Sequence, residues 1–357
     1  MMKTPRSKSN KVGRMLNGIV TACVLLGVLL GACAPAATPA PATATATRAP
    51  TATHTPAPTA TITLTPTPAD TSTPEATATP AEINLIGAGD IVNCDGAGAK
   101  ATAKLLAQFP GATIFTAGDN IDHLGTPKEF KNCFGATWGV YKDRIHPAIG
   151  DMEYNMKNPP AYAYFDYFGA AAGTPQQGWY SYDLGGTPPN SRGWHIVVLN
   201  SECARINGCQ AGSPEEMWLK ADLAAHPAQC SMAVWHSPRF YSALAEGLPI
   251  FKDIWQDLYD AGVELVVNAH LHYYMRYAPM NPDGQLDEAK GIQEFIVGTG
   301  GSIPLAKGDP SCTGNCKAIN NTTFGVIKFT LHPNSYDWAF LPEPGKDFTD
   351  GGSRACH

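Results

Sequence analysis

From residue 82 onward, short and nearly continuous apolar runs alternate with breaks rich in Gly, Pro, Asn and Asp. Seven of these runs read as buried strands: 83–90 (INLIGAGD), 112–119 (ATIFTAGD), 145–151 (IHPAIGD), 194–201 (WHIVVLNS), 230–237 (CSMAVWHS), 263–270 (VELVVNAH) and 292–299 (IQEFIVGT). They are short, mostly rich in branched apolar residues and bounded by turn formers, which favours strand over helix. Helical spacing over 100–109 (KATAKLLAQF), 214–226 and 250–261 predicts helices between them. Alternating strands and helices, with strands apolar on both faces, predict an α/β fold whose sheet is covered on both sides. The segments FGVIKFTLHP and SYDWAFLPE, within 324–343, predict a closing antiparallel hairpin. No internal repeat interrupts this pattern, and residues 82–357 read as one domain.

The first 81 residues follow other rules. Lys3, Arg6, Lys8, Lys11 and Arg14 precede the apolar run MLNGIVTACVLLGVLLGA, which ends at Cys33. A cationic flank, an apolar core and a small-residue site before cysteine predict an export signal over 1–32. The residues LGAC (Leu30 to Cys33) resemble a bacterial lipobox, which implies a lipid-modified Cys33 as the mature N-terminus. The alternative is an uncleaved anchor, since the run is about long enough to span a bilayer. Either way the positive flank leaves the remaining chain outside the cytoplasm. After Cys33, residues up to 81 are almost entirely Ala, Thr and Pro. Such a stretch buries too little apolar surface to offset its ordering entropy, so 33–81 reads as a disordered, semi-rigid stalk. At ~3.1 Å per residue it would reach roughly 150 Å.

Charge narrows the function classes. The whole chain has 25 basic and 31 acidic residues, a formal charge of −6. Without the five cations of the signal, 20 basic face 31 acidic residues, near −11. No nucleic-acid surface is evident in that balance, which does suit a binder of cations. Setting aside Cys23 and Cys33, eight cysteines remain, an even number that predicts disulfides in an exported chain. Cys203–Cys209 and Cys312–Cys316 are the expected local pairs. A zinc cluster is the rival reading, weakened by the lack of paired CxxC spacings.

Ligands of α/β sheets collect beyond the carboxyl ends of the strands. Five predicted strands end there in a metal-ligating residue: Asp90, Asp119, Asp151, His236, and the pair His270 and His272 in NAHLH. Any one of these has a structural explanation, such as an Asx turn. Together they predict a cluster of carboxylates and imidazoles suited to iron, zinc or manganese, with enough ligands for two ions.

These residues carry a resemblance. GAGD (87–90), AGDN (117–120), GDME (150–153), WHSPRF (235–240) and AHLH (269–272) resemble the motifs of calcineurin-like metallophosphoesterases, particularly the purple-acid-phosphatase-like branch. The resemblance covers 82–357 and implies a β-sandwich flanked by helices, with two divalent or trivalent metal ions at the strand ends. It implies that Asp90 and His272 hold one metal, that Asp119 bridges both, and that Asp151, His236 and His270 hold the second.

Three positions depart from that pattern. The family block reads Gly-Asn-His-Glu, where this chain has Gly150, Asp151, Met152 and Glu153. Met152 replaces the histidine that contacts the substrate phosphate and is often assigned as general acid; such a group is typically worth ~10²–10⁴-fold. Asp122 stands where the purple enzymes have a tyrosine ligand, and Ala269 replaces a glycine, which predicts a crowded turn. His123 and Tyr154 are the candidates for a substitute acid, and Arg239 for a phosphate-facing cation. The sequence therefore predicts an exported, lipid-anchored phosphoester hydrolase, slowed by its missing histidine. The alternative is a catalytically degenerate surface protein that binds metal or phosphate. An ordinary adhesin would account for the stalk but not for the Asp/His cluster. Substrate, metal identity and oligomeric state stay open.

Overall fold

A computed structural model describes residues 82–185, 193–241, 248–302 and 311–357. The signal, Cys33 and the stalk lie outside these residues. Among the described residues, no helix is long and apolar enough to cross a membrane.

The strands divide between two sheets. The first holds β1 (Ile83–Ala88), β2 (Thr113–Ala117), β3 (Ile145–Ala148), β11 (Gly325–His332), β12 (Ser335–Pro342) and β13 (Gly351–Ala355), in the order β13-β12-β11-β1-β2-β3. The second holds β4 (Tyr180–Leu184), β5 (Trp194–Val198), β6 (Cys230–Val234), β7 (Leu265–Asn268), β8 (Tyr274–Tyr277), β9 (Gln293–Val297) and β10 (Cys316–Asn320), in the order β10-β8-β9-β7-β6-β5-β4. Strands β1, β2 and β3 are mutually parallel, as are β5, β6, β7 and β9. The remaining strands pair antiparallel at the sheet margins, including the predicted hairpin β11–β12.

The continuous apolar runs of the central strands follow from burial on both faces. In β5, Ile196 and Val198 face the core shared with the first sheet, while Val197 faces a second core. In β6, Met232 and Val234 face the first core and Ala233 the second; in β7, Leu265 and Val267 alternate with Val266 in the same way. The apolar pattern alone predicted one sheet covered on both faces, because a doubly buried strand looks the same whether its neighbour is a helix or another sheet; the chain builds the two sheets flanked by helices that the motif resemblance implied.

Helices cover the outer faces. Helix α1 (Gly98–Leu106) buries Ala99, Ala103 and Leu106, spaced four and three residues apart. A single turn, α2 (Pro127–Glu129), is capped by Thr126 and runs into a π-helical turn over Phe130–Phe134. Phe130, Phe134 and Phe168 of α3 (Tyr162–Phe168) pack ring to ring. Helix α4 (Pro214–Ala225) starts with Ser213 accepting the Glu216 N–H and with proline at its first position. Helix α5 (Lys252–Asp260) buries Ile254, Trp255 and Leu258 in the second core. Burying each large apolar side chain contributes roughly 1.5–3 kcal/mol.

All eight cysteines pair: Cys94–Cys133, Cys203–Cys209, Cys230–Cys356 and Cys312–Cys316. The two expected local bridges form, and no thiol of this set is left for a zinc cluster. The other two bridges span 39 and 126 residues and join segments that the sequence spacing could not match.

Candidate metal centre

The parallel strands of both sheets end at a common rim. Beyond β1, β2 and β3 come Asp90, Asp119 and Asp151; beyond β6 and β7 come His236, His270 and His272. Main-chain bonds stitch these turns together. Asp90 N–H donates to the Gly118 carbonyl (3.2 Å), Ile91 N–H to Asp119 (2.9 Å) and Ala269 N–H to His236 (2.8 Å).

Seven side chains converge there in three overlapping triads whose ligand atoms lie within 4.8 Å of one another: Asp90, Asp122 and His272; Asp90, Asp119 and His236; and Asp151, His236 and His270. His272 Nε2 lies 3.2 Å from Asp90 Oδ1 and 3.5 Å from Asp122 Oδ2. His236 Nε2 lies 3.3 Å from Asp119 Oδ2 and 3.1 Å from Asp151 Oδ1. His270 Nδ1 lies 3.0 Å from Asp151 Oδ1 and 3.2 Å from His236 Nε2. The two outer triads share no residue; the middle one takes Asp90 from one and His236 from the other, and adds Asp119 between them. Every metal-ligand candidate read from the sequence, Asp122 included, is in this cluster.

The backbone is bent to achieve it. Asp90 (φ 53°), Asp119 (φ 45°) and His270 (φ 66°) all adopt the left-handed conformation. For non-glycine residues that costs on the order of 1–3 kcal/mol each, and such strain clusters at functional sites. The turn at 269–272 explains why Ala269 is tolerated: the left-handed residue is His270, and the Ala269 methyl sits where a Cβ on Gly89 would collide with it. Gly150 is required for close approach, since a Cβ there would collide with Asp119 Oδ1.

The donor set fits cations. Asp90 is buried, and neither of its carboxylate oxygens makes a well-formed hydrogen bond. A buried carboxylate left in that state is costly unless a positive charge compensates it. Among the described residues, the ion pairs of the four aspartates are all with the three histidines. His236 is fully buried, and its Nδ1–H donates to the Ala117 carbonyl (2.9 Å), leaving Nε2 aimed at two carboxylates and a second imidazole. An outer hydrogen bond that fixes the tautomer in this way is typical of a metal-ligating histidine.

The electrostatics carry the same strain. Burial pushes the Asp119 carboxyl up to about 6, against the opposing pull of His236. Burial also raises Asp122, countered by the Ser302 hydroxyl, which donates to its Oδ2. Burial works against a charged His272, yet its contact with Asp90 and the nearby Asp122 raise it to about 9. Burial opposes ionisation of Asp151 too, but His236 and His270 hold it well below the usual carboxylate range.

Other candidates are placed elsewhere. Arg239 is 2% exposed, and its guanidinium donates to the carbonyls of Leu248 (3.0 Å) and Pro282 (2.6 Å) while lying over the Phe240 ring. The phosphate-facing role expected for Arg239 is therefore corrected to a structural one. His123 is 59% exposed at its side chain and pairs with Glu129 at 2.7 Å. The Tyr154 hydroxyl accepts from Asn200 Nδ2 (2.8 Å) inside the protein, and burial pushes it up to about 12. Met152 contributes its main-chain N–H to Asp119 Oδ1 (3.0 Å).

Three supporting residues went unassigned in the sequence. Ser302 holds Asp122, and Asn120 Nδ2 donates to the Ala148 carbonyl (3.0 Å). Glu153 accepts from the N–H groups of Ile121 and Gly150. Only the AGDN and GDME motifs drew attention to the last two.

Two sheets flanked by helices, with an Asp/His cluster at the carboxyl rim of the parallel strands, make up a metallophosphoesterase-type fold. No protein-family model matches the chain, and no curated protein matches it. Solved structures do match. A purple acid phosphatase, PPD1, from yellow lupin (Lupinus luteus) seeds superposes with a TM-score of 0.65 at 16% identity, covering 78% of this chain and 54% of the lupin chain. This chain thus spans about half the length of the lupin protein. GAP50 of Plasmodium gives 0.57 at 15% identity over 75% of this chain and 88% of its own, and PhoD gives 0.51 at 12% over 78% and 70%. At these identities the likeness is one of fold.

Proposed function

We propose that this chain is a metal-dependent phosphoester hydrolase. The observation that carries the reading is Asp90, a buried carboxylate whose one ion-pair partner among the described residues is His272, set among three further aspartates and three histidines. Asp90, Asp122 and His272 would hold one ion, and Asp151, His236 and His270 the other, with Asp119 between them. Two such ions, of iron, zinc or manganese, would supply charge to hold phosphate oxygens and a water of lowered pKa for in-line attack on phosphorus.

The protein's own part is orientation. The Ala117 carbonyl fixes the His236 tautomer, Ser302 holds Asp122, and the Met152 N–H holds Asp119. Proton donation to the leaving group is the weak point. Met152 has no proton to give, His123 is tied to Glu129 and Tyr154 is turned toward Asn200. Turnover is therefore slow by the standard of an enzyme with an imidazole at 152.

A second reading is a degenerate binder of metal or phosphate, and Met152 favours it. GAP50, one of the structural neighbours, is described as an anchor. We also place the domain outside the cytoplasm on a lipid anchor at Cys33, on the strength of the LGAC segment and the Ala/Thr/Pro stalk.

The test is hydrolysis of an aryl phosphate by the chain stripped of metal and then resupplied with manganese, zinc or iron. Turnover restored by metal supports the hydrolase. Two bound ions without turnover would favour the binder, and no bound metal would defeat the hydrolase and leave only a binder of phosphate.

A further inference from the structure

A second group of ligand-type side chains lies away from the rim. Strands β5 and β6 pair with His195 opposite Ser231, five residues before His236. At ~3.3 Å per residue that is roughly 16 Å from the centre described above, toward the opposite end of the sheet.

We propose that His195, Asp222 and His226 form a separate site for one transition-metal dication of the zinc class. Ligand atoms of the three lie within 4.8 Å of one another. Asp222 and His226 stand four residues apart at the end of α4, on one helix face. His195 reaches them from β5, and its ring stacks on that of His226 at 4.9 Å.

The shell around them is built. His195 is 1% exposed, with Nδ1 2.7 Å from Asp183 Oδ1 and Nε2 2.8 Å from Asp222 Oδ2. A carboxylate behind an imidazole orients it and makes the other nitrogen a better ligand. Ser181 Oγ donates to Asp222 Oδ1 (2.8 Å), fixing that carboxylate. His226 Nδ1 lies 3.3 Å from Asp222 Oδ1 and 2.9 Å from the Asp222 main-chain oxygen. With metal–ligand bonds of ~2.0–2.2 Å, tetrahedral ligand atoms sit about 3.3–3.6 Å apart, near the 3.3 Å between His226 and Asp222 and a small opening from the 2.8 Å between His195 and Asp222. His226 and Asp183 also line a cavity of about 150 Å³, so this side of the cluster opens toward solvent.

Two imidazoles and a carboxylate suit zinc, nickel or copper better than magnesium or calcium. Without an ion, hydrogens on His195 Nε2 and His226 Nδ1 make these contacts. An ion bound at His195 Nε2 takes the place of the hydrogen shared there with Asp222.

Equilibrium dialysis of the full chain against zinc tests the site. At saturation the wild type holds one more zinc than His226→Ala, whose side chain is 46% exposed and tolerates truncation. Asp119→Asn loses ions at the other centre and keeps this one. Asp183→Asn keeps the site but needs about 10–100-fold more free zinc to fill it. Equal zinc counts for wild type and His226→Ala up to millimolar zinc would overturn the proposal and leave a proton-linked network. Should His226→Ala melt early, the Asp183→Asn shift decides: no change in its zinc affinity also overturns the proposal.

Discussion

The buried carboxylate of Glu153 accepts the main-chain N–H of Gly150 at 2.8 Å through Oε2. Its other oxygen takes the N–H of Ile121 at 3.2 Å, so one side chain fastens the loop after β2 to the loop after β3. Those loops carry Asp119, Asp122 and Asp151. Burial and the neighbouring Asp119 push Glu153 up to about 8, against the two N–H donors. Glu153→Gln puts an amide N–H where one of these donors needs an acceptor. The expected cost is about 1–3 kcal/mol of stability, read as a lower Tm. Metal affinity should fall about 10–100-fold, read by dialysis. Unchanged metal affinity would mean that the two loops hold their positions without this clamp.

Asp119 is the carboxylate between the two outer triads, 3.3 Å from His236 Nε2. Asp119→Asn removes its charge with little change in shape. Elemental analysis should show a sharp fall in metal at the rim. Retention of two ions there would remove Asp119 from its bridging place.

Met152 is half-buried, and its main-chain N–H already serves Asp119. Met152→His leaves that bond in place and adds a group able to hold a proton beside the cluster. Hydrolysis of an aryl phosphate should rise by ~10²-fold or more, the lower end of what a general acid supplies. A flat response would place the limiting proton elsewhere.

Away from the rim, buried carboxyls tie stability to pH. Burial pushes Glu215 up to about 8, against a single hydrogen bond from the Asn200 N–H at 2.6 Å. Burial likewise pushes Glu294 up to about 8 and Glu264 up to about 7. A folded-state pKa above the unfolded one means the folded chain keeps a proton that the unfolded chain has lost. Stability is therefore full below the usual glutamate pKa near 4.5 and falls as pH rises toward 8. Each such group steepens the fall by at most about 1.4 kcal/mol per pH unit. Glu215→Gln keeps an acceptor for Asn200 and cannot ionise, so its Tm should decline less between pH 5 and 8. Parallel curves would mean that Glu215 ionises without cost in the folded state.

Much of the rim was legible before any coordinates. An apolar run that ends in Gly-Asp or in His marks the end of a strand, and parallel strands all deliver their ends to one side of a sheet. That local rule sufficed to name Asp90, Asp119, Asp151, His236, His270 and His272, and the motif resemblance added Asp122. Seven strands and three helices followed from periodicity in the same way. The short strands β4, β8, β10 and β13 were missed, because they are half-exposed or too brief to stand out from turns.

What only the tertiary structure decided are relations between distant residues. Apolar periodicity reports that a position is buried, not what buries it, so two sheets and one doubly covered sheet read alike, and only the motif resemblance pointed to two. Cysteine spacing gave the bridges across 6 and 4 residues but not those across 39 and 126. Arg239 looked free to meet a phosphate until the carbonyls of Leu248 and Pro282 were seen to claim it. The joining of His195 to Asp222, 27 residues away, depends on α4 packing beside β5. A sequence states which groups can bond; the packing of the chain decides which of them meet.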